Sequence, residues 1–266
     1  MQYPDDMAAP TLGQDQSGIR FGPLGPPGTG LPRTLSPAAL GNLPGMLALL
    51  HTSPVHVPVF DALRDEEAPD LTLHHLVRPE LLERARAQGP EAVAEDVAAA
   101  LAEATHDGAR SALCTCSTIG SVAEAAGAAL GLPVLRVDRP MAAAAVAAGP
   151  RIVVLATVES TLAPTEALIA EEAQRAGREV RMRTVLVPGA WERFESGDTD
   201  GHLSMVAAAA RGVRDAEVIV LAQASMAPAA EGLDAGVPVL SSPRLGLRAA
   251  AQRAASDTSF SGLRTT

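Results

Sequence analysis

Residues 110–135, RSALCTCSTIGSVAEAAGAALGLPVL, recur in form at 217–240 as EVIVLAQASMAPAAEGLDAGVPVL. Each segment runs from a short apolar strand through a small polar turn and an Ala-rich stretch to Pro-Val-Leu. Upstream, LALLHTSPVHVPVFDAL (47–63) pairs with VVLATVESTLAPTEALI (153–169). Pro58 and Pro164 are 106 positions apart, Cys116 and Gln223 are 107 apart, and Pro133 and Pro238 are 105 apart. Separated anchors that share nearly one offset imply a duplicated α/β unit. Two such units facing each other leave a cleft, and clefts of this kind bind small molecules. The duplication is unequal at one position: Cys116 is matched by Gln223, whereas Thr118 is matched by Ser225.

The length of 266 residues leaves room for two lobes of about 100–110 residues each. The expected organisation is a Pro/Gly-rich flexible tail over 1–44, a first lobe over 45–139 and a second over 140–242. A C-terminal helix follows over 243–258, with a short tail over 259–266. The tail's GPLGPPGTGLP (22–32) has phosphate-loop glycines but no preceding strand and no Lys-Ser/Thr after it, so it is read as a linker. An apolar fraction of 47% supplies a core, and with aromatics at 2% that core must be Ala, Val and Leu. All 21 basic residues are arginine, which excludes lysine Schiff-base chemistry. A net charge of −10 without a basic run argues against nucleic acid as a partner. The first residues lack the charged and apolar regions of a signal peptide, and no apolar run approaches about 18 residues. A cytoplasmic protein with no membrane partner is expected, and self-association into a homo-oligomer is left open.

Apolar runs place strands at 46–51, 70–77, 110–115 and 133–137, then at 151–157, 179–187, 217–222 and 237–240. Helices are expected between them at 55–65, 79–88, 90–106, 118–130 and 139–148, then at 162–176, 189–196, 201–214, 226–234 and 243–255. Continuous rather than alternating apolar strands are those of parallel sheets covered on both faces, joined by right-handed crossovers. Ligands in such sheets sit beyond the carboxyl ends of the strands. That rule selects His51, Thr52 and Ser53; Cys116, Ser117 and Thr118; Thr157, Ser160 and Thr161; and Gln223, Ala224 and Ser225.

Cys116 lies just past a strand and before a helix, where N–H groups and the helix dipole favour a thiolate. Ser117 or Thr118 can cap that helix or turn a hydroxyl to a carboxylate. Cys114, two residues earlier in the strand, reads as a buried inert thiol. The two cysteines and six scattered histidines do not form a metal-ligand spacing, so no metal is assigned. Arg139 could hold a substrate carboxylate or form an ordinary ion pair. Trp191 either packs between helices or sits in a loop that covers the cleft.

The two-lobed duplication, Cys116-Ser117-Thr118 after an inner strand, and Leu155-Ala156-Thr157 with Thr161 resemble the aspartate/glutamate/hydantoin racemase superfamily. The resemblance implies an α/β fold of two pseudo-symmetric, flavodoxin-like lobes with parallel sheets and the active site between them. It also implies a cofactor-independent racemase or isomerase acting on a small carboxylate or amino-acid-like substrate. In that chemistry one thiol takes the α-proton and a second, from the other lobe, returns it. The second-lobe cysteine of the family falls here at Gln223, which can only hydrogen-bond. Symmetric two-thiol racemisation is therefore not expected. Cys116 could instead protonate one face of a carbanion left by decarboxylation, or attack covalently with Gln223 as an oxyanion donor. Alternatively His51, His56 or Glu159 could replace the missing base, His51 being the best placed at its strand end. A two-lobed binding protein without catalysis is the remaining alternative.

Overall fold

The computed structural model describes residues 45–261, so the expected tail over 1–44 and residues 262–266 lie outside the described residues. Two four-stranded parallel sheets carry the chain. The first holds β1 (Met46–His51), β2 (Leu73–Val77), β3 (Ala109–Cys114) and β4 (Val134–Arg136) in the order β2-β1-β3-β4. The second holds β5 (Arg151–Ala156), β6 (Arg181–Leu186), β7 (Val218–Leu221) and β8 (Val239–Ser241) in the order β6-β5-β7-β8. The orders are the same relative to chain direction, as a duplicated unit requires. In each sheet the order reverses between the two central strands, and the loops leaving those strands flank a crevice.

Nine α-helices cover the sheets among the described residues. They are α1 (His56–Glu67), α2 (Pro79–Gln88), α3 (Ala94–His106), α4 (Gly120–Leu130), α5 (Arg139–Ala148), α6 (Leu162–Arg175), α7 (Ala190–Glu195), α8 (Thr199–Gly212) and α9 (Ser242–Ser261). None is long and apolar enough to cross a membrane. Alternate residues of β1 serve opposite faces of its sheet. Ala48 and Leu50 join Leu81, Val97, Leu101 and Val122 beneath α2, α3 and α4. Leu47 and Leu49 join Phe60 of α1 and Leu247 of α9 on the other side. Both faces are dry, which is why the strand reads as an unbroken apolar run. The second sheet repeats this, with Val154 against Leu168 and Val153 against Val206.

The helices at the ends of the two lobes are exchanged. α5 follows the last strand of the first sheet, yet Met141, Ala142 and Ala145 pack on the second. α9 follows the last strand of the second sheet, yet Leu247, Ala250 and Ala254 pack on the first. The lobes therefore share core across the cleft.

Local chemistry sets some of the boundaries. α4 stops at Gly131, whose φ of 70° is left-handed, and Leu132 N–H bonds back to Gly127 at 3.0 Å. The helix expected over 226–234 is instead a 3-10 stretch at Ala224–Ala230. Pro228 within it cannot donate a backbone hydrogen bond, and Gly232 follows at φ 67°, so an α-helix is not propagated.

Candidate active site

The loops leaving β1, β3 and β7 converge with residues of α1, α2 and α7 on a small chamber of about 80 Å³. Cys116, half-buried, lines it with Ser117 and Thr118. Thr52 and Ser53 enter from the β1 loop, and Gln223, Ala224 and Ser225 from the β7 loop. Thr161 also reaches it, whereas Thr157 and Ser160 lie outside the lining. The structure thus brings together nine of the twelve residues selected from the sequence, leaving out His51, Thr157 and Ser160.

Gln223 explains where Thr157 goes. The Gln223 side-chain oxygen accepts from the Thr157 backbone N–H at 2.6 Å, the Thr157 hydroxyl at 3.0 Å and the Val158 N–H at 3.3 Å. Backbone N–H groups can only donate, so the atom facing them must be the amide oxygen. The amide NH₂ is thereby turned away from β5, and Gln223 remains part of the chamber wall. At the second lobe a glutamine occupies the nest of donors that the loop after β5 offers.

The cysteine turn is braced from below. Arg136, buried, forms a two-pronged pair with the fully buried Asp138 at 2.9 and 2.8 Å, and its Nη2 also donates to the Ser117 carbonyl at 3.4 Å. Gly120 opens α4 directly over this guanidinium, and a Cβ there would come within 2.6 Å of Arg136 Nε. Neither Ser117 nor Thr118 caps α4. Ser117 Oγ instead donates to the Ala222 carbonyl of the other lobe at 3.3 Å. Cys114 is 1% exposed, its thiol donates to the Cys116 carbonyl at 3.5 Å, and burial pushes its pKa up.

His51 is buried and both ring nitrogens are engaged. Nδ1 lies 2.8 Å from the Thr115 hydroxyl, and Nε2 lies 2.8 Å from His75 Nδ1, whose far nitrogen is 3.3 Å from Asp61. Burial, reinforced by His75 and His56, lowers its pKa to about 3. His51 sits beneath the chamber rather than in its wall, because the end of β1 is covered by Phe60 and His75. His56, at the start of α1, is the histidine that lines the chamber. Burial lowers its pKa to about 4, so it is neutral at pH 7. Its Nδ1 and the hydroxyl of Ser225 are shielded from solvent and have no hydrogen-bond partner among the described residues. Glu159 is exposed and outside the lining.

Three lining residues carry no sequence signal for the site. Leu82 and Arg86 come from α2, and Phe194 from α7, ordinary residues of amphipathic helices. Trp191 of α7 completes that wall, and the Arg86 guanidinium stands 5.4 Å from its ring centre, across the cleft mouth. Arg86 is the one cation and no carboxylate is present among the described lining residues, so the chamber favours an anion. Arg139 is elsewhere. Only 12% exposed, it ties Glu124 of α4 to Glu172 of α6, at 2.5 Å for the latter, and so joins the lobes behind the site. Among the described residues no three His, Cys, Asp or Glu side chains converge as a metal site would need.

Residues 54–250 match the model of the family described as Asp/Glu/Hydantoin racemase. No curated protein matches the chain in sequence. Solved structures do match. A glutamate racemase of Bacillus anthracis superimposes at a TM-score of 0.56 over 82% of this chain and 83% of its own, with 19% identity. An aspartate racemase of Picrophilus torridus gives 0.59 over 79% and 94%, with 14% identity. Arylmalonate decarboxylase gives 0.51 over 79% and 92%, with 20% identity. At these identities the likeness is one of fold.

Proposed function

Because the chain belongs to the Asp/Glu/hydantoin racemase family, we propose that it is a cofactor-independent enzyme that moves a proton at the carbon next to a carboxylate, with Cys116 as its single reacting thiol. One observation carries this reading: Cys116 lines a chamber whose opposite position holds Gln223, fixed by three hydrogen bonds. A thiol is not needed merely to bind a carboxylate, since hydroxyls and N–H groups suffice for that.

In the forward step the Cys116 thiolate takes the α-proton. The C–H bond breaks, an S–H bond forms, and the electron pair moves into the carboxylate as an enediolate. Donors around the chamber, among them the Gln223 amide and the Thr118 and Ser225 hydroxyls, meet the developing charge. Return of the proton from Cys116 restores the same face and exchanges it without inversion. Inversion needs an acid–base partner on the other face: His56 of the wall, neutral at pH 7, would take the α-proton there while the Cys116 S–H gives its proton to the opposite face of the carbon. His51 is assigned the supporting role of holding Thr115 and His75 beneath the loop.

The single thiol favours a second reading, in which carbon dioxide leaves, its bonding electrons stay on the α-carbon, and the Cys116 S–H protonates that carbon. Incubation in D₂O with amino acids, hydantoins and substituted malonates separates the two. Cys116-dependent deuterium uptake is expected in the first case and carbon dioxide release in the second. Tight binding without either, in the wild type and in Cys116→Ser alike, would turn the protein into a binder and end the enzymatic reading.

A further inference from the structure

The Cys116 chamber opens into a second and larger one. The outer chamber measures about 860 Å³ and shares Thr52, Ser53, His56, Trp191, Phe194 and Ser225 with the inner one, so the two are continuous. Its walls are mainly apolar, with Val55, Val59 and Leu63 from the α1 side and Leu240 and Leu245 from the β8–α9 side. Val55 and Val59 are 48% and 41% exposed, two of the four large apolar side chains left open to solvent among the described residues. Apolar surface kept exposed beside a polar pocket marks a surface made to be covered by a ligand.

Charge narrows what that ligand is. Arg244 is the one cation among the described residues lining the outer chamber. It is already held by Glu66 at 2.8 Å and Glu67 at 2.5 Å. The other charged residues there are Glu195 and Glu231, both exposed and both negative. A second carboxylate entering this space would lose water, meet acidic neighbours and find no uncommitted positive charge. An uncharged hydrocarbon group would displace water from apolar walls instead.

We propose that the substrate of the Cys116 site carries one carboxylate head, seated in the inner chamber, and a bulky uncharged apolar substituent on its α-carbon, seated in the outer one. The assignment rests on the function proposed above and narrows it, setting aside substrates with a distal acid such as aspartate and glutamate.

Trp191 is the single tryptophan of the sequence and lines both chambers, so its emission reports on either. The protein would be titrated with acetate, butyrate and hexanoate, and with adipate, which has the six carbons of hexanoate and a distal carboxylate. Protection of Cys116 from iodoacetamide would be followed in parallel. Affinity is expected to rise roughly fourfold per buried methylene, with adipate at least about tenfold weaker than hexanoate. Val59→Asp, on the exposed face of α1, should flatten the gradient, and Val55→Asp repeats the test if the first variant folds poorly. A flat series in which every member still protects Cys116 would sink this inference and leave the carboxylate site standing. No binding and no protection by any member would sink the proposed function and this inference together. A flat series with a dimer that Val59→Asp dissociates would give the apolar face to a second copy of the chain.

Discussion

The side-chain oxygen of Gln223 lies 2.6 Å from the backbone nitrogen of Thr157, at the point where the loops after β7 and β5 meet. By the duplication, Gln223 stands where Cys116 stands in the first lobe. The glutamine fills the donor nest of its own lobe with its own acceptor, and a ligand is left to the donors around Cys116. Gln223→Ala would leave the Thr157 and Val158 N–H groups without this partner, at a cost of about 1–3 kcal/mol, measurable by urea denaturation. Gln223→Cys would set a second thiol opposite the first. On any substrate that shows Cys116-dependent exchange, chiral analysis should then find inversion increased relative to exchange.

The two thiols should differ sharply in reactivity. Cys114 is 1% exposed with its pKa raised by burial, whereas Cys116 lines the chamber. Iodoacetamide at neutral pH is expected to label Cys116 and spare Cys114 in the folded protein, with both labelled in urea. Peptide mass spectrometry reads this directly, and early labelling of Cys114 would contradict the packing described.

Acid should weaken the fold from about pH 6.5 downward. His51 and His56 have folded pKa values of about 3 and about 4, against 6.5 when unfolded. As pH falls below 6.5 the unfolded chain takes up protons that the folded chain refuses. Their contribution is therefore fully present above pH 6.5 and is lost on acidification, by up to about 1.4 kcal/mol per pH unit for each histidine. Urea midpoints between pH 7 and pH 5 test the slope. His56→Leu, which removes one of the two groups, should make it about half as steep.

Arg139 should matter to stability rather than to ligand binding. It stands 12% exposed between Glu124 and Glu172, on helices of different lobes. Arg139→Met would leave both carboxylates half-buried without that partner, costing about 2–3 kcal/mol. Adding Glu124→Gln should recover part of the loss, since the uncompensated charge is the source of the penalty. A stability unchanged in Arg139→Met would show that the ion pair does not hold the lobes.

The cysteine turn gives a structural check on Arg136. Gly120→Ala would drive a methyl group to within 2.6 Å of Arg136 Nε, with the Asp138 pair beneath unable to yield. The expected result is a destabilised protein and a changed rate of Cys116 alkylation, because Arg136 also holds the Ser117 carbonyl. Normal alkylation in a folded Gly120→Ala protein would free the turn from this brace.

What is local or repeated was legible in the chain alone. Short apolar runs such as Ile152–Ala156, set between turn signals, read as strands buried on two faces, and the nearly constant offset between halves makes the second sheet a copy of the first. With parallel strands, the loops after β1, β3, β5 and β7 were bound to gather, and Cys116 with them. Tertiary structure decided the rest, because it depends on partners far along the chain. His51 and His56 are five residues apart, and position at the strand end favoured His51. Phe60 and His75 bury the first, while the start of α1 turns the second to the chamber. Arg139 could have met a ligand, but Glu124 and Glu172 reach it from two lobes and claim it. Arg86 and Trp191, far apart in sequence, meet only because two helices close over the cleft, a contact that no spacing along the chain encodes.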